Sequence, residues 1–153
     1  MIPKIPTRIV LDTNVCLDLF VFRDPRWLRL MQALIDGEVE AVTRADCRME
    51  WRLVLGYAHL GLDEAMQARM SAEFDALIRP CTQTIADAGV KLPVCRDTDD
   101  QKFMELAYET GATMLITKDK ALLKLARKTQ KAGLFQIVTP EVWVGMGSIS
   151  TGN

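Results

Sequence analysis

Four acidic side chains stand where chemistry could be done: Asp12, Glu50, Asp100 and Asp119. Asp12 directly follows Arg8-Ile9-Val10-Leu11, and Asp119 lies just past Thr113-Met114-Leu115-Ile116-Thr117. Short continuous apolar runs of this kind read as buried central strands, which sets both carboxylates at strand C-terminal ends. Asp100 closes the cluster Asp97-Thr98-Asp99-Asp100 in the first turn of a helix. Glu50 sits on a helix between Met49 and Trp51, where a carboxylate on the apolar side is costly unless paired or metal-bound. Two carboxylates within ~4 Å repel by about 4 kcal/mol at an effective dielectric near 20. Relief comes from a raised pKa, a Lys or Arg partner, or a divalent cation. An all-oxygen set without His or Cys suits Mg²⁺ or Mn²⁺ over Zn²⁺. Carboxylate-held magnesium most often serves phosphate chemistry, because the ion neutralises phosphate charge and acidifies water.

Each acid also has a plainer role. Asp12 and Asp119 can cap the helices that follow them. Residues 97–100 can be a solvated helix N-terminus, where acids favour the dipole. Glu50 can pair with Arg44, Arg48 or Arg52. The functional case therefore rests on the combination: two acids end two separate buried strands.

The elements that must position these residues alternate along the chain. Strands are expected over 8–11, 39–42, 113–117 and 135–138, with a further short one over 82–85. Helices are expected over 15–22, capped by Thr13 or Asn14, and from Trp27 to a stop at Gly37. Another, capped by Thr43 or Asp46, runs to about His59 with Met49, Leu53 and Val54 as its apolar face. Asp63 opens a helix that runs to about Ile78 and is stopped by Pro80. Thr98 or Asp99 opens the next, and Gly111 closes it. Asp119 opens the last full helix, whose core face is Leu122, Leu123 and Leu125, and Gly133 ends it. Residues 140–144 form a single turn. The alternation implies a three-layer α/β/α sandwich around a central, mostly parallel sheet of four to five strands. Ligands of such sheets gather at the strand C-terminal ends. A single domain is expected over residues 1–145, with 146–153 a frayed tail.

Composition bounds the rest. The chain has 153 residues, enough for one domain. Its 19 basic and 20 acidic residues nearly cancel, which excludes a strongly basic nucleic-acid coat and leaves room for a local basic rim. No apolar run approaches the roughly 20 residues of a membrane span, and residues 1–10 have no apolar core of a signal peptide. The four cysteines are widely spaced with no C-x-x-C pair, so reduced packing cysteines in a cytoplasmic protein are expected. Asn14 stands where a haloacid-dehalogenase-type phosphatase needs a second Asp. No Gly-x-Gly-x-x-Gly follows the first strand. His59 is the one histidine, which argues against Ser–His–Asp or Cys–His chemistry and fits a packing or surface role. Trp27, Met66, Met70 and Trp143 are candidates for the core or for a partner groove.

Four segments resemble the PIN-domain nucleases, in particular the branch of toxin components of bacterial toxin–antitoxin systems. They are Ile9-Val10-Leu11-Asp12-Thr13-Asn14-Val15, the Glu50 helix, Cys95-Arg96-Asp97-Thr98-Asp99-Asp100-Gln101-Lys102-Phe103, and Leu115-Ile116-Thr117-Lys118-Asp119-Lys120. Val138-Thr139-Pro140-Glu141 is similar to that branch's closing segment. Asp100 takes the place of the family's third acid, seven residues before Ala107. Asp97 is then accessory and Asp99 a cap; Thr98 replaces the proline many members carry. The resemblance implies a metal-dependent endoribonuclease with one or two Mg²⁺ or Mn²⁺ ions held by Asp12, Glu50, Asp100 and Asp119, and a metal-activated water attacking the phosphate in line. It further implies that Asn14 and Thr117 orient carboxylates or water, that Arg96, Lys102, Lys118 and Lys120 contact RNA, and that the partners are an antitoxin and a second copy in a homodimer. A catalytically idle binding module of the same fold and a housekeeping RNA-processing nuclease are the alternatives.

Overall fold

The computed structural model describes residues 7–81 and 90–150, with side chains to residue 146. Strands β1 (Thr7–Leu11), β2 (Val39–Thr43), β3 (Ile78–Pro80), β4 (Met114–Ile116) and β5 (Gln136–Val138) form one sheet in the order β3-β2-β1-β4-β5. Every neighbouring pair is parallel. The helices are α1 (Thr13–Phe20), α2 (Leu28–Asp36), α3 (Ala45–Leu55), α4 (Glu64–Leu77), α5 (Gln101–Thr110), α6 (Lys120–Leu123), α7 (Ala126–Lys131) and α8 (Pro140–Ser150).

Alternate residues of each strand face opposite sides of the sheet, and each side has its own core. Ile9, Leu11, Ala41 and Ile116 pack with Phe20 of α1, Leu30 of α2, Trp51 of α3, Phe74 of α4 and Trp143 of α8. Val10, Val42, Leu115 and Ile137 pack with Phe103, Met104 and Leu106 of α5 and with Leu122 and Leu125. The result is the three-layer α/β/α sandwich, its sheet wholly parallel and five-stranded. No helix among the described residues is long and apolar enough to cross a membrane.

Several elements differ from the sequence reading. Ile78-Arg79-Pro80 is a strand paired with β2 rather than a helix end. Proline is tolerated there because β3 is an edge strand and Pro80 its last residue. The strand expected over 82–85 lies outside the described residues. Helix α3 ends at Leu55, and its buried stripe is Cys47, Trp51 and Leu55. Met49 and Leu53 face solvent on the opposite side, because a four-residue stripe admits only its own helical neighbours. His59 lies in an exposed 3-10 turn with its ring against Tyr57. Trp27 and Trp143 are core residues, Met70 packs against the core and Met66 is exposed. The helix after Asp119 breaks at Leu125 into α6 and α7. Helix α8 continues past the turn expected over 140–144 and carries the backbone to Ser150, anchored by buried Trp143. Of the cysteines, Cys16, Cys47 and Cys95 are buried and, among the described residues, form no disulfide. Burial pushes the Cys47 thiol up to about 12.

Candidate acidic metal centre

Strand order reverses between β1 and β4, which are neighbours although their chain connections run to opposite sides of the sheet. Crevices at such a switch point are where ligands of parallel sheets bind. The Asp12 backbone N–H donates to the Ile116 carbonyl at 3.1 Å, continuing the β1–β4 ladder to the strand ends. Asp12 and the 117–119 turn are thereby held side by side.

Asp12 is 3 % exposed. One carboxylate oxygen accepts the Val15 N–H at 2.9 Å, so Asp12, rather than Thr13 or Asn14, caps α1. The other accepts the hydroxyl of buried Thr117. Burial raises the Asp12 pKa to about 6, despite these two hydrogen bonds and Lys118, which pull it down; Asp119 pushes the same way as burial. Capping and a cation site are not exclusive here, since the cap leaves the carboxylate under strain that a cation would relieve.

Asp97, Asp100 and Asp119 converge, with one carboxylate oxygen from each lying within 4.8 Å of the others. Asp97 caps the short 3-10 turn Thr98–Asp100, accepting the Asp99 N–H at 3.0 Å, and α5, which Thr98 or Asp99 was expected to cap, starts after Asp100 without a side-chain cap. Asp119 caps α6 by accepting the Ala121 N–H at 2.8 Å, and its own N–H donates to the Thr117 hydroxyl at 2.9 Å. The Asp100 pKa is raised to about 8, first by burial, then by its hydrogen bond to Asp119 and by the charges of Asp119, Asp97 and Asp12. Asp119 is correspondingly lowered, chiefly by that hydrogen bond. The hydrogen bond between them thus moves the two carboxyls in opposite directions, Asp100 up and Asp119 down, as in a coupled acid pair.

Glu50, like Asp12, is not one of the three acids whose oxygens lie within 4.8 Å of one another. It accepts the Thr13 hydroxyl and forms an ion pair with Lys102 at 2.8 Å. Lys102 also donates to the Asp99 carbonyl. The arginines that Glu50 was expected to meet are engaged elsewhere: Arg44 with Asp46, Glu105 and Glu109, and Arg48 with Asp75. Lys102 therefore supplies the positive charge for Glu50, and the turn before α5 brings it there.

Of the remaining candidates, Asn14 is exposed and, among the described residues, makes no hydrogen bond to an acid. Lys118 is tied by a 2.6 Å ion pair to Asp18 of α1, and Arg96 and Lys120 are exposed. Sequence reasoning missed two contributors. Thr13 was read only as a cap, and Asp18 was passed over although a carboxylate between Leu17 and Leu19 carries the same signal as Glu50. Asp18 is buried and also accepts the Trp27 indole N–H at 3.2 Å.

The donor set is all carboxylate and hydroxyl oxygen, and burial together with neighbouring negative charge disfavours ionisation of Asp12 and Asp100. That fits a hard ion such as Mg²⁺ or Mn²⁺. A family model described as PIN domain matches residues 8–121. No curated protein matches the chain.

Proposed function

Because the chain belongs to the PIN-domain family, whose members are generally metal-dependent nucleases, we propose that it is an endoribonuclease hydrolysing phosphodiester bonds of single-stranded or structured RNA. The observation that carries the reading is the convergence of Asp97, Asp100 and Asp119 beside buried Asp12 at the switch point of a parallel sheet. Asp12, Asp100 and Asp119 hold one or two Mg²⁺ or Mn²⁺ ions, with Glu50 completing the set and Asp97 as an accessory acid. When bound, such an ion neutralises phosphate charge and lowers the pKa of water. The chain's own part is orientation. Thr117 fixes the Asp12 carboxylate and the 117–119 turn at once, and Thr13 with Lys102 fixes Glu50.

The finer reading is the toxin half of a toxin–antitoxin pair, cytoplasmic and homodimeric, with an antitoxin partner. It is supported by the resemblance of the four motif segments and is an argument by family analogy. Growth arrest on induction, relieved by a neighbouring gene, tests it.

The enzymatic reading is tested with labelled single-stranded RNA in Mn²⁺, Mg²⁺ or EDTA, comparing the wild type with Asp100→Asn. Cleavage that needs the metal and disappears in the variant is expected. Cleavage that survives in EDTA or in the variant overturns the assignment.

A further inference from the structure

We propose that the outer face of α6 and α7 is a binding track for the sugar–phosphate backbone of single-stranded RNA, beginning at the acid cluster. The proposal rests on the nuclease reading for its choice of RNA. Lys120, Lys124, Arg127, Lys128 and Lys131 are all exposed; Lys120 opens α6, Lys124 lies in the turn that follows it, and Arg127, Lys128 and Lys131 share one face of α7. The opposite face carries buried Leu122, Leu125 and Thr129. The cationic stripe is therefore held facing outward by the core beneath it.

Its charge is uncompensated. Among the described residues, none of the five forms an ion pair, whereas six arginines elsewhere, Arg44 and Arg48 included, each hold a carboxylate. No acid occurs between Asp119 and Glu141, in a chain whose net charge is -1. An ordinary solvated face mixes both signs; this one does not. The stripe also starts at the site, because Lys120 directly follows Asp119. From there the exposed cations continue through α7 to Lys131. Such a surface binds phosphates and reads no base edges, so it confers affinity and register without sequence preference. An acidic protein segment would complement the same charge, but nothing would then require the stripe to begin at the acids.

The test is binding of labelled single-stranded RNA in EDTA, which silences hydrolysis, over a series of salt concentrations. The variant is Lys124→Gln/Arg127→Gln/Lys128→Gln, which keeps helix-forming side chains. A charge-matched control is Arg69→Gln/Arg79→Gln/Lys91→Gln, three exposed cations away from the stripe. Expected is a loss of affinity on the order of ten- to a hundredfold and a salt slope shallower by about 2 for the stripe variant, with the control near wild type. Lys124→Arg/Lys128→Arg should retain wild-type affinity. Equal losses in both triple variants, no loss in either, or binding of polyglutamate in place of RNA would overturn the proposal. Hydrolysis of bis(p-nitrophenyl) phosphate in Mn²⁺, a diester too small to reach the stripe, should be equal in wild type and stripe variant. If wild type hydrolyses neither this diester nor RNA, the nuclease reading falls while the binding result still decides the track.

Discussion

Thr117 is fully buried and joins both halves of the acid cluster, donating to Asp12 and accepting from the Asp119 backbone N–H. Thr117→Val leaves a buried carboxylate and a backbone N–H without that partner, so a loss of about 1–3 kcal/mol is expected by urea denaturation, and Thr117→Ser should recover most of it. The loss should be larger above about 6, where Asp12 is ionised, than below it. Asp100→Asn has the opposite sign in metal-free protein. The folded-state pKa of Asp100 is raised from 3.8 to about 8, so its contribution to stability is complete below 3.8 and lost as pH rises through about 8. The variant should therefore melt at a higher temperature than wild type in EDTA at the alkaline end, while lacking the proposed metal-dependent cleavage. The acids at strand ends were legible because one residue type following one short apolar run is a local pattern. The Thr13–Glu50 and Lys102–Glu50 contacts were not, since they join residues 37 and 52 positions apart, and only the folded chain pairs them.

Elements were legible where their signals were local. Gly37 ends α2 with φ 76° and leads into β2. A Cβ there would meet nothing within 4 Å, so the cost of Gly37→Ala is purely conformational, about 1 kcal/mol by chemical denaturation. Helix α4 is harder to read, because Phe74 is its one buried residue and its pattern is weak. Phe74 stacks on Trp51 at 5.1 Å and meets Phe20 edge-on at 6.0 Å. Phe74→Ala should cost about 3–5 kcal/mol, and hydrogen exchange should show α4 as the element most exposed by the change. Strand β3 was missed because its three residues are recognised only by pairing with β2; Pro80 is tolerated because β3 lies at the edge of the sheet, and the next donor to β2 is the Cys81 N–H, which meets the Thr43 carbonyl at 3.0 Å. The face of α3 was misjudged because apolar residues lie all round it, and the choice between the Trp51 side and the Met49 side is made by the aromatic cluster beneath.

Across the whole molecule, buried Asp12 and half-buried Asp100 at the switch point should dominate the pH response of the metal-free protein between 3.8 and about 8. Both Asp12 and Asp100 have raised folded-state pKa values, so stability should decline between 3.8 and about 8 as each is forced to ionise inside the fold. Asp46 works in the other direction, held near 2 by Arg44, and its contribution is lost only as pH falls below 3.8 toward that value. Thermal melts in EDTA across this range should thus fall toward the alkaline end, and Mn²⁺ should restore stability most where the acids are ionised. The architecture that produces this was readable as alternating strands and helices, whereas the crowding of Asp97, Asp100 and Asp119 depends on a loop and a strand end meeting across the sheet edge. Under the proposed function, the strain on these carboxylates is relieved when they take up a divalent cation. Calorimetric Mn²⁺ titration near neutral pH, in two buffers of different ionisation enthalpy, tests it most directly for wild type and Asp100→Asn. Expected are saturable binding with release of about one proton by wild type and weak binding without that proton by the variant; equal binding by the two proteins, or binding by wild type with no proton released, would contradict it.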